Sequence, residues 1–190
     1  QEEALKLYDA GADIYLITNF SSPMYVTERM EIERGPEHYQ MSMTELERFR
    51  NLEWEMQKYP QIQSLKEANL LLGTRRIFGI YQIRDDLPGE NYAFMNMSFI
   101  ESHGMQIKKE DYKLVYVGEL SGNMSLDDIF EKFNIDRPED FRGHSLSVSD
   151  IIVLNDGEKV TAHFVDSISF EQLDSFLNLE EQVLSELAYE

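Results

Sequence analysis

The chain of 190 residues has no cysteine. That excludes disulfides and thiolate chemistry and suits a reducing compartment. Basic residues are scarce: 17 Lys and Arg stand against 36 Asp and Glu, a formal charge of −19. After Lys159 there is no Lys or Arg at all. Binding to phosphate backbones depends on neutralising phosphates with those two residues, so a direct grip on nucleic acid is not expected. Neither a run of 18 apolar residues nor a signal-peptide pattern occurs, which predicts a soluble, cytoplasmic protein with no membrane partner. The four histidines, His38, His103, His144 and His163, are scattered without HExxH or any paired spacing, so no metal site is expected. Glycine-rich phosphate loops are missing too, and with them any expected nucleotide cofactor.

What is present is enough for a core. A hydrophobic content of 42% with 12% aromatic residues argues against a disordered chain. The length fits one domain, or one domain with a small companion. Thr74-Arg75-Arg76 makes a natural boundary, giving a small α/β region over 1–74 and an α+β domain over 75–190. The first holds 13 acids and 7 bases, the second 23 and 10, so most of the negative charge belongs to the second.

Glu2 to Ala10 reads as a helix with Ala4, Leu5 and Tyr8 on one side and Gly11 as its stop. Residues 13–18 look like a buried strand and 24–27 like a returning one across the Ser21-Ser22-Pro23 turn. Either Ser42 with Glu45 or Thr44 with Glu47 supplies a capping box for the next helix. Leu46, Phe49, Leu52, Met56 and Tyr59 form its apolar stripe. Trp54 sits about 100° from that stripe; it is expected to pack under a neighbouring segment, or else to anchor a partner. Pro60 ends the helix, and another over 61–72 ends at Gly73.

Residues 77–83 and 112–117 are predicted strands, and 95–102 a weaker helix. Ser125 caps a helix with Leu126, Ile129, Phe130 and Phe133 inward and Asp127, Asp128 and Glu131 outward. Residues 143–154 lead from a hydroxyl-rich loop into the most β-branched segment of the second half, followed by Asn155-Asp156-Gly157, a strong hairpin signal. Phe170, Leu173, Leu177, Leu184 and Leu187 predict an acidic terminal helix, broken near Asn178. The fold class is therefore α+β: a mixed or antiparallel sheet, with at least one hairpin at about 150–165, packed by several helices.

If Asp156-Gly157 is a two-residue turn, Asp150 faces His163 across the hairpin. An Asp–His pair near Ser145, Ser147 and Ser149 invites a hydrolase reading on His144, His163 and Asp150. There is no Gly-x-Ser-x-Gly elbow and no evident oxyanion hole, so no catalytic residue is assigned. The stronger candidates are acids: Asp127, Asp128, Glu131, Asp136, Glu139 and Asp140 in one stretch, and Glu180, Glu181 and Glu186 in another. Carboxylates on successive helical turns can imitate the spacing of phosphates, although a solvated helix face has the same pattern.

Several ordered motifs resemble a known family. They are Phe78-Gly79-Ile80-Tyr81-Gln82, Tyr112-Lys113-Leu114-Val115-Tyr116, and the run from Ser125-Leu126-Asp127-Asp128 to Phe133-Asn134. Pro138-Glu139-Asp140-Phe141-Arg142-Gly143-His144 continues into residues 145–154, and Ala162-His163-Phe164-Val165-Asp166-Ser167 closes the set. From about residue 77 to 177 the chain resembles the YodL-like domain family of Firmicutes and their mobile elements. Ala10-Gly11-Ala12-Asp13-Ile14-Tyr15-Leu16 also looks like segments that precede this domain in conjugative-element proteins. The resemblance implies no catalytic residues. It implies a context of conjugative elements and phages, often beside antirestriction domains, and a similarity to anti-CRISPR proteins acting on type II RNA-guided nucleases. The reading that results is a non-enzymatic, acidic inhibitor of a host defence nuclease, a type II-A CRISPR effector, possessing no cofactor. The alternative is a regulatory interaction module for a host protein unrelated to defence.

Overall fold

The computed structural model describes residues 1–17, 22–35, 38–87 and 92–178. The chain divides into two compact units, residues 1–73 and 74–190.

In the first unit, helix α1 (Glu2–Asp9) buries Ala4 and Leu7, not Leu5 and Tyr8. Its short length lets Ala10, at the cap, complete the buried row Ala4, Leu7, Ala10 at steps of three. The two expected strands are reduced to β1 (Tyr15–Leu16) and β2 (Met24–Tyr25). A third, β3 (Tyr39–Gln40), completes an antiparallel sheet of order β2-β1-β3. Helix α2 (Arg29–Glu33), between β2 and β3, has a capping box formed by Glu28 and Glu31. Helix α3 (Met43–Met56) begins at Ser42, whose hydroxyl accepts the Glu45 amide at 3.1 Å. Of its stripe, Phe49 and Leu52 are buried. Trp54 does not pack under a neighbour: it is 60% exposed, with the Lys58 ammonium 3.9 Å from its ring. Helix α4 (Leu65–Leu72) starts from Ser64 and buries nearly every residue.

The second unit is a five-stranded antiparallel sheet of order β5-β4-β6-β7-β8. Its strands are β4 (Arg76–Ile83), β5 (Tyr112–Glu119), β6 (Ile151–Asp156), β7 (Val160–Val165) and β8 (Phe170–Gln172). Helix α5 (Met97–Ser102) starts at Asn96, whose side chain accepts the Phe99 amide. Strand β4 is interior, between β5 and β6, and buried on both faces, which is why it reads as a continuous apolar run. Helix α6 (Leu126–Ile135) covers one face, setting Ile129 and Phe133 against Phe78, Ile80 and Ile152. Ile129 and Phe133 are fully buried, and each such side chain contributes about 1.5–3 kcal/mol over its exposed state. The rings of Phe133 and Phe78 meet edge to face at 5.9 Å. On the other face Phe176, from a 3-10 turn (Asp174–Leu177), packs edge-on against Tyr81 and Tyr112.

The hairpin forms, but its register differs from expectation. Asn155 pairs with Val160 and Ile152 with His163, so the two turn residues are Gly157 and Glu158. Gly157 takes φ +94° in the first turn position, where a side chain would be strained. Asp156 Oδ1 accepts the amides of Glu158 (2.9 Å) and Lys159 (2.8 Å), fixing the turn one residue later. The slip is even, so side chains keep their faces while Asp150 moves from His163 to Val165. The expected helix around Phe170 and Leu173 is instead strand β8, leading into the 3-10 turn. Leu184 and Leu187 lie outside the described residues.

Candidate functional site

The acidic surface starts at α6. Asp128 Oδ2 accepts the Ser125 amide at 2.8 Å and its hydroxyl at 2.7 Å, while the Asp128 amide donates to the Ser125 hydroxyl at 3.2 Å. This reciprocal capping box satisfies donors that the helix start would otherwise leave open. The bonds from Ser125 hold the Asp128 carboxyl below its usual range. Asp128 is thus occupied locally, whereas Asp127 and Glu131, four residues apart on one side, point freely to solvent. Asp136 caps the C-terminal end, and Glu139 and Asp140 follow on the loop; all six acids are exposed. None of the six forms an ion pair among the described residues. Arg142, the nearest guanidinium in sequence to Asp140, donates to the Glu139 carbonyl at 2.6 Å. Glu180, Glu181 and Glu186 lie outside the described residues.

The hydrolase trio does not assemble as expected. His163 Nε2 lies 2.9 Å from the Thr161 hydroxyl, its strand neighbour is Ile152, and burial pushes its pKa down. His103 stacks on Phe99 at 3.9 Å. Among the described residues, no group of three His, Asp or Glu side chains could hold a metal ion.

His144 and Asp150 do meet, at the end of β4. Asp150 ends the loop into β6 and is 2% exposed. Its Oδ2 accepts the Ser147 amide at 2.9 Å and the Gln82 amide nitrogen at 3.0 Å. Its Oδ1 faces His144 Nε2 at 3.8 Å. Gln82, also buried, clasps the His144 backbone as well, donating to its carbonyl (2.9 Å) and accepting its amide (3.0 Å). Gly143 makes that clasp possible, because a Cβ there would lie 2.3 Å from Gln82 Oε1. Desolvation pushes the Asp150 carboxyl up to about 6, against the downward pull of the Ser147 amide, His144 and Gln82.

Two non-glycine residues with positive φ adjoin this cluster: Phe94 (+64°) and Ser149 (+78°). They are linked, since the Phe94 amide donates to the Ser149 hydroxyl at 2.8 Å. The Tyr112 phenol donates to the Ser149 carbonyl at 2.9 Å. Phe94 is 63% exposed, its ring 5.5 Å from that of His144. Such conformations cost of order 1–3 kcal/mol each and persist where surroundings over-determine them. Sequence reasoning singled out neither Gln82 as a partner nor Phe94. The one signal for Gln82 was a lone amide inside an otherwise apolar strand, which must find buried partners.

The second unit is thus an antiparallel α+β domain whose polar cluster joins the interior strand β4 to the loop before β6. The YodL-like domain matches residues 77–176, from the start of β4 into the 3-10 turn that carries Phe176. The chain belongs to the YodL-like domain family. No curated protein and no solved structure matches it.

Proposed function

We propose that the chain is a mobile-element antidefence protein: a non-enzymatic inhibitor that docks its acidic surface into the nucleic-acid channel of a host defence nuclease. A type II-A CRISPR effector is the foremost target. The observation that carries this reading is the surface of α6 and the loop after it. Six exposed carboxylates, Asp127, Asp128, Glu131, Asp136, Glu139 and Asp140, lie there without an ion pair among the described residues, in a protein of formal charge −19. A surface of one sign attracts a channel of the other and discourages nucleic acid itself. The YodL-like resemblance adds the mobile-element context.

Chemistry at His144 finds little support in the geometry. Nδ1 lies against the Ser145 carbonyl and Nε2 against Asp150, so neither ring nitrogen is aimed at solvent, where a substrate would arrive. The test is binding to a purified type II-A effector at two ionic strengths, with Asp127→Lys/Glu131→Lys alongside. Binding that weakens in salt and falls on the order of tenfold on reversal supports the reading. Binding indifferent to both sinks the acidic mechanism, and no binding to the effector removes that target.

A further inference from the structure

The Gln82–His144–Asp150 cluster has more contacts than its protons can satisfy in one of its ionisation states. The Gln82 amide nitrogen has two hydrogens but three acceptors: Asp150 Oδ2 at 3.0 Å, the His144 carbonyl at 2.9 Å and His144 Nδ1 at 3.0 Å. Nδ1 is also 2.8 Å from the Ser145 carbonyl, a contact that is attractive only with a proton on Nδ1. Among the described residues, Asp150 Oδ1 faces only His144 Nε2.

One proton on the pair, carried by Nε2 or by Oδ1 across their 3.8 Å separation, resolves the conflict. Nδ1–H then donates to the Ser145 carbonyl, and Gln82 spends its two hydrogens on Asp150 Oδ2 and the His144 carbonyl. That proton rests on Nε2 facing a carboxylate, or on Oδ1 facing a neutral imidazole; at 3.8 Å both arrangements are electrostatically attractive. When that proton leaves for solvent, one contact must turn repulsive. Either the Nε2 lone pair faces the carboxylate, or Nδ1, with its proton moved to Nε2, opposes the Ser145 carbonyl.

We propose that His144 is a proton-operated latch, seated on Asp150 while the pair holds one proton and swung into solvent when it is lost, freeing the Phe94 ring. The hardware suits the motion. The His144 side chain is 44% exposed and that of Asp150 3%, so the imidazole is the member able to leave. Asp150 continues directly from Ser149, whose hydroxyl holds the Phe94 amide. The strained Phe94–Ser149 pair therefore senses what happens at the carboxylate. A carboxyl pushed up to about 6 places the change in an accessible pH range. Other charges facing the pair are few. Asp85, on the loop after β4, has its carboxyl lowered chiefly by its bond to Lys113 of β5 and only slightly by His144. The Tyr112 phenol, from β5, stays neutral because burial holds its pKa far above the usual range.

The test is an NMR titration of the full chain from pH 5 to 8, following the His144 imidazole, the Asp150 carboxyl carbon, the Ser149 amide and the Phe94 ring. The latch gives one shared midpoint for all four, with a proton on Nδ1 at the low-pH end. Asp150→Asn places a permanent donor opposite Nε2, so Phe94 and Ser149 should stay at their low-pH positions throughout. His144→Ala should hold Phe94 at its high-pH position throughout. The proposal is overturned if Phe94 and Ser149 do not follow the His144 titration, or if either variant titrates at those two residues as wild type does.

Discussion

His144 Nε2 lies 3.8 Å from Asp150 Oδ1, an exposed imidazole set over a buried carboxylate. The sequence pointed to a different partner, His163, and the difference comes from one turn. Moving the two-residue loop from Asp156-Gly157 to Gly157-Glu158 takes Asp150 off His163, leaving its carboxylate to Gln82, Ser147 and His144.

Burial of that carboxylate makes stability depend on pH with a definite sign. The Asp150 carboxyl is raised from 3.8 to about 6 in the folded chain. A raised acid favours folding fully below the unfolded pKa, and that contribution is lost as pH rises through the folded one. Asp150→Asn should therefore gain on wild type by roughly 2–3 kcal/mol between pH 4 and pH 7. Urea unfolding at the two pH values measures it; an unchanged difference contradicts the assignment.

Ser149 combines a positive φ with a hydrogen bond to the Phe94 amide. Ser149→Ala keeps the strain and loses the bond, which should cost about 1 kcal/mol. Ser149→Gly loses the bond but relieves the strain, so it should be close to neutral, about 1 kcal/mol above the alanine variant. Chemical denaturation of the pair decides, and equal stabilities would show that the φ value carries no cost.

Much of the frame was legible because it rests on short-range rules. Ser42 and Ser125 each cap the helix that their spacing announces. The apolar run of β4 and the hairpin at residues 151–165 are where periodicity and turn residues put them. What escaped depends on contacts distant in sequence. Gln82 and Asp150 are 68 residues apart and Phe94 and Ser149 are 55 apart, and no local pattern encodes either pairing. Strand β8 escaped because Phe170 and Leu173 satisfy a helical spacing, while pairing with β7 overrides it. The acids of the candidate surface could be named in advance, but not that Asp128 is spent on its own helix cap.

That division of labour among the α6 acids separates stability from binding. Asp128→Lys and Ser125→Ala both break the capping box and should lower stability, Ser125→Ala by about 1 kcal/mol. Asp127→Lys, one residue away with no such bond, should stay within about 0.5 kcal/mol of wild type, the ordinary range for a surface substitution. Thermal melts of the three at matched ionic strength check the order. A larger loss from Asp127→Lys than from Asp128→Lys would contradict it.

Gly143 should tolerate no side chain. Alanine places Cβ 2.3 Å from Gln82 Oε1 and 2.7 Å from the Phe141 ring, both on buried residues. Relieving that contact should cost on the order of 1–3 kcal/mol. It should also disturb the His144 amide, which donates to the same oxygen. Denaturation midpoints with amide spectra test this, and a wild-type spectrum would contradict it.

The central claim is that exposed carboxylates after Ser125 engage a basic nucleic-acid channel. Its most direct measurement is the dissociation constant of wild type and Asp127→Lys/Glu131→Lys for a purified type II-A effector, at low and at high salt. The account predicts tight wild-type binding at low salt, a loss on the order of tenfold on charge reversal, and a gap that narrows as salt rises. Equal affinities for the two proteins at low salt would contradict it.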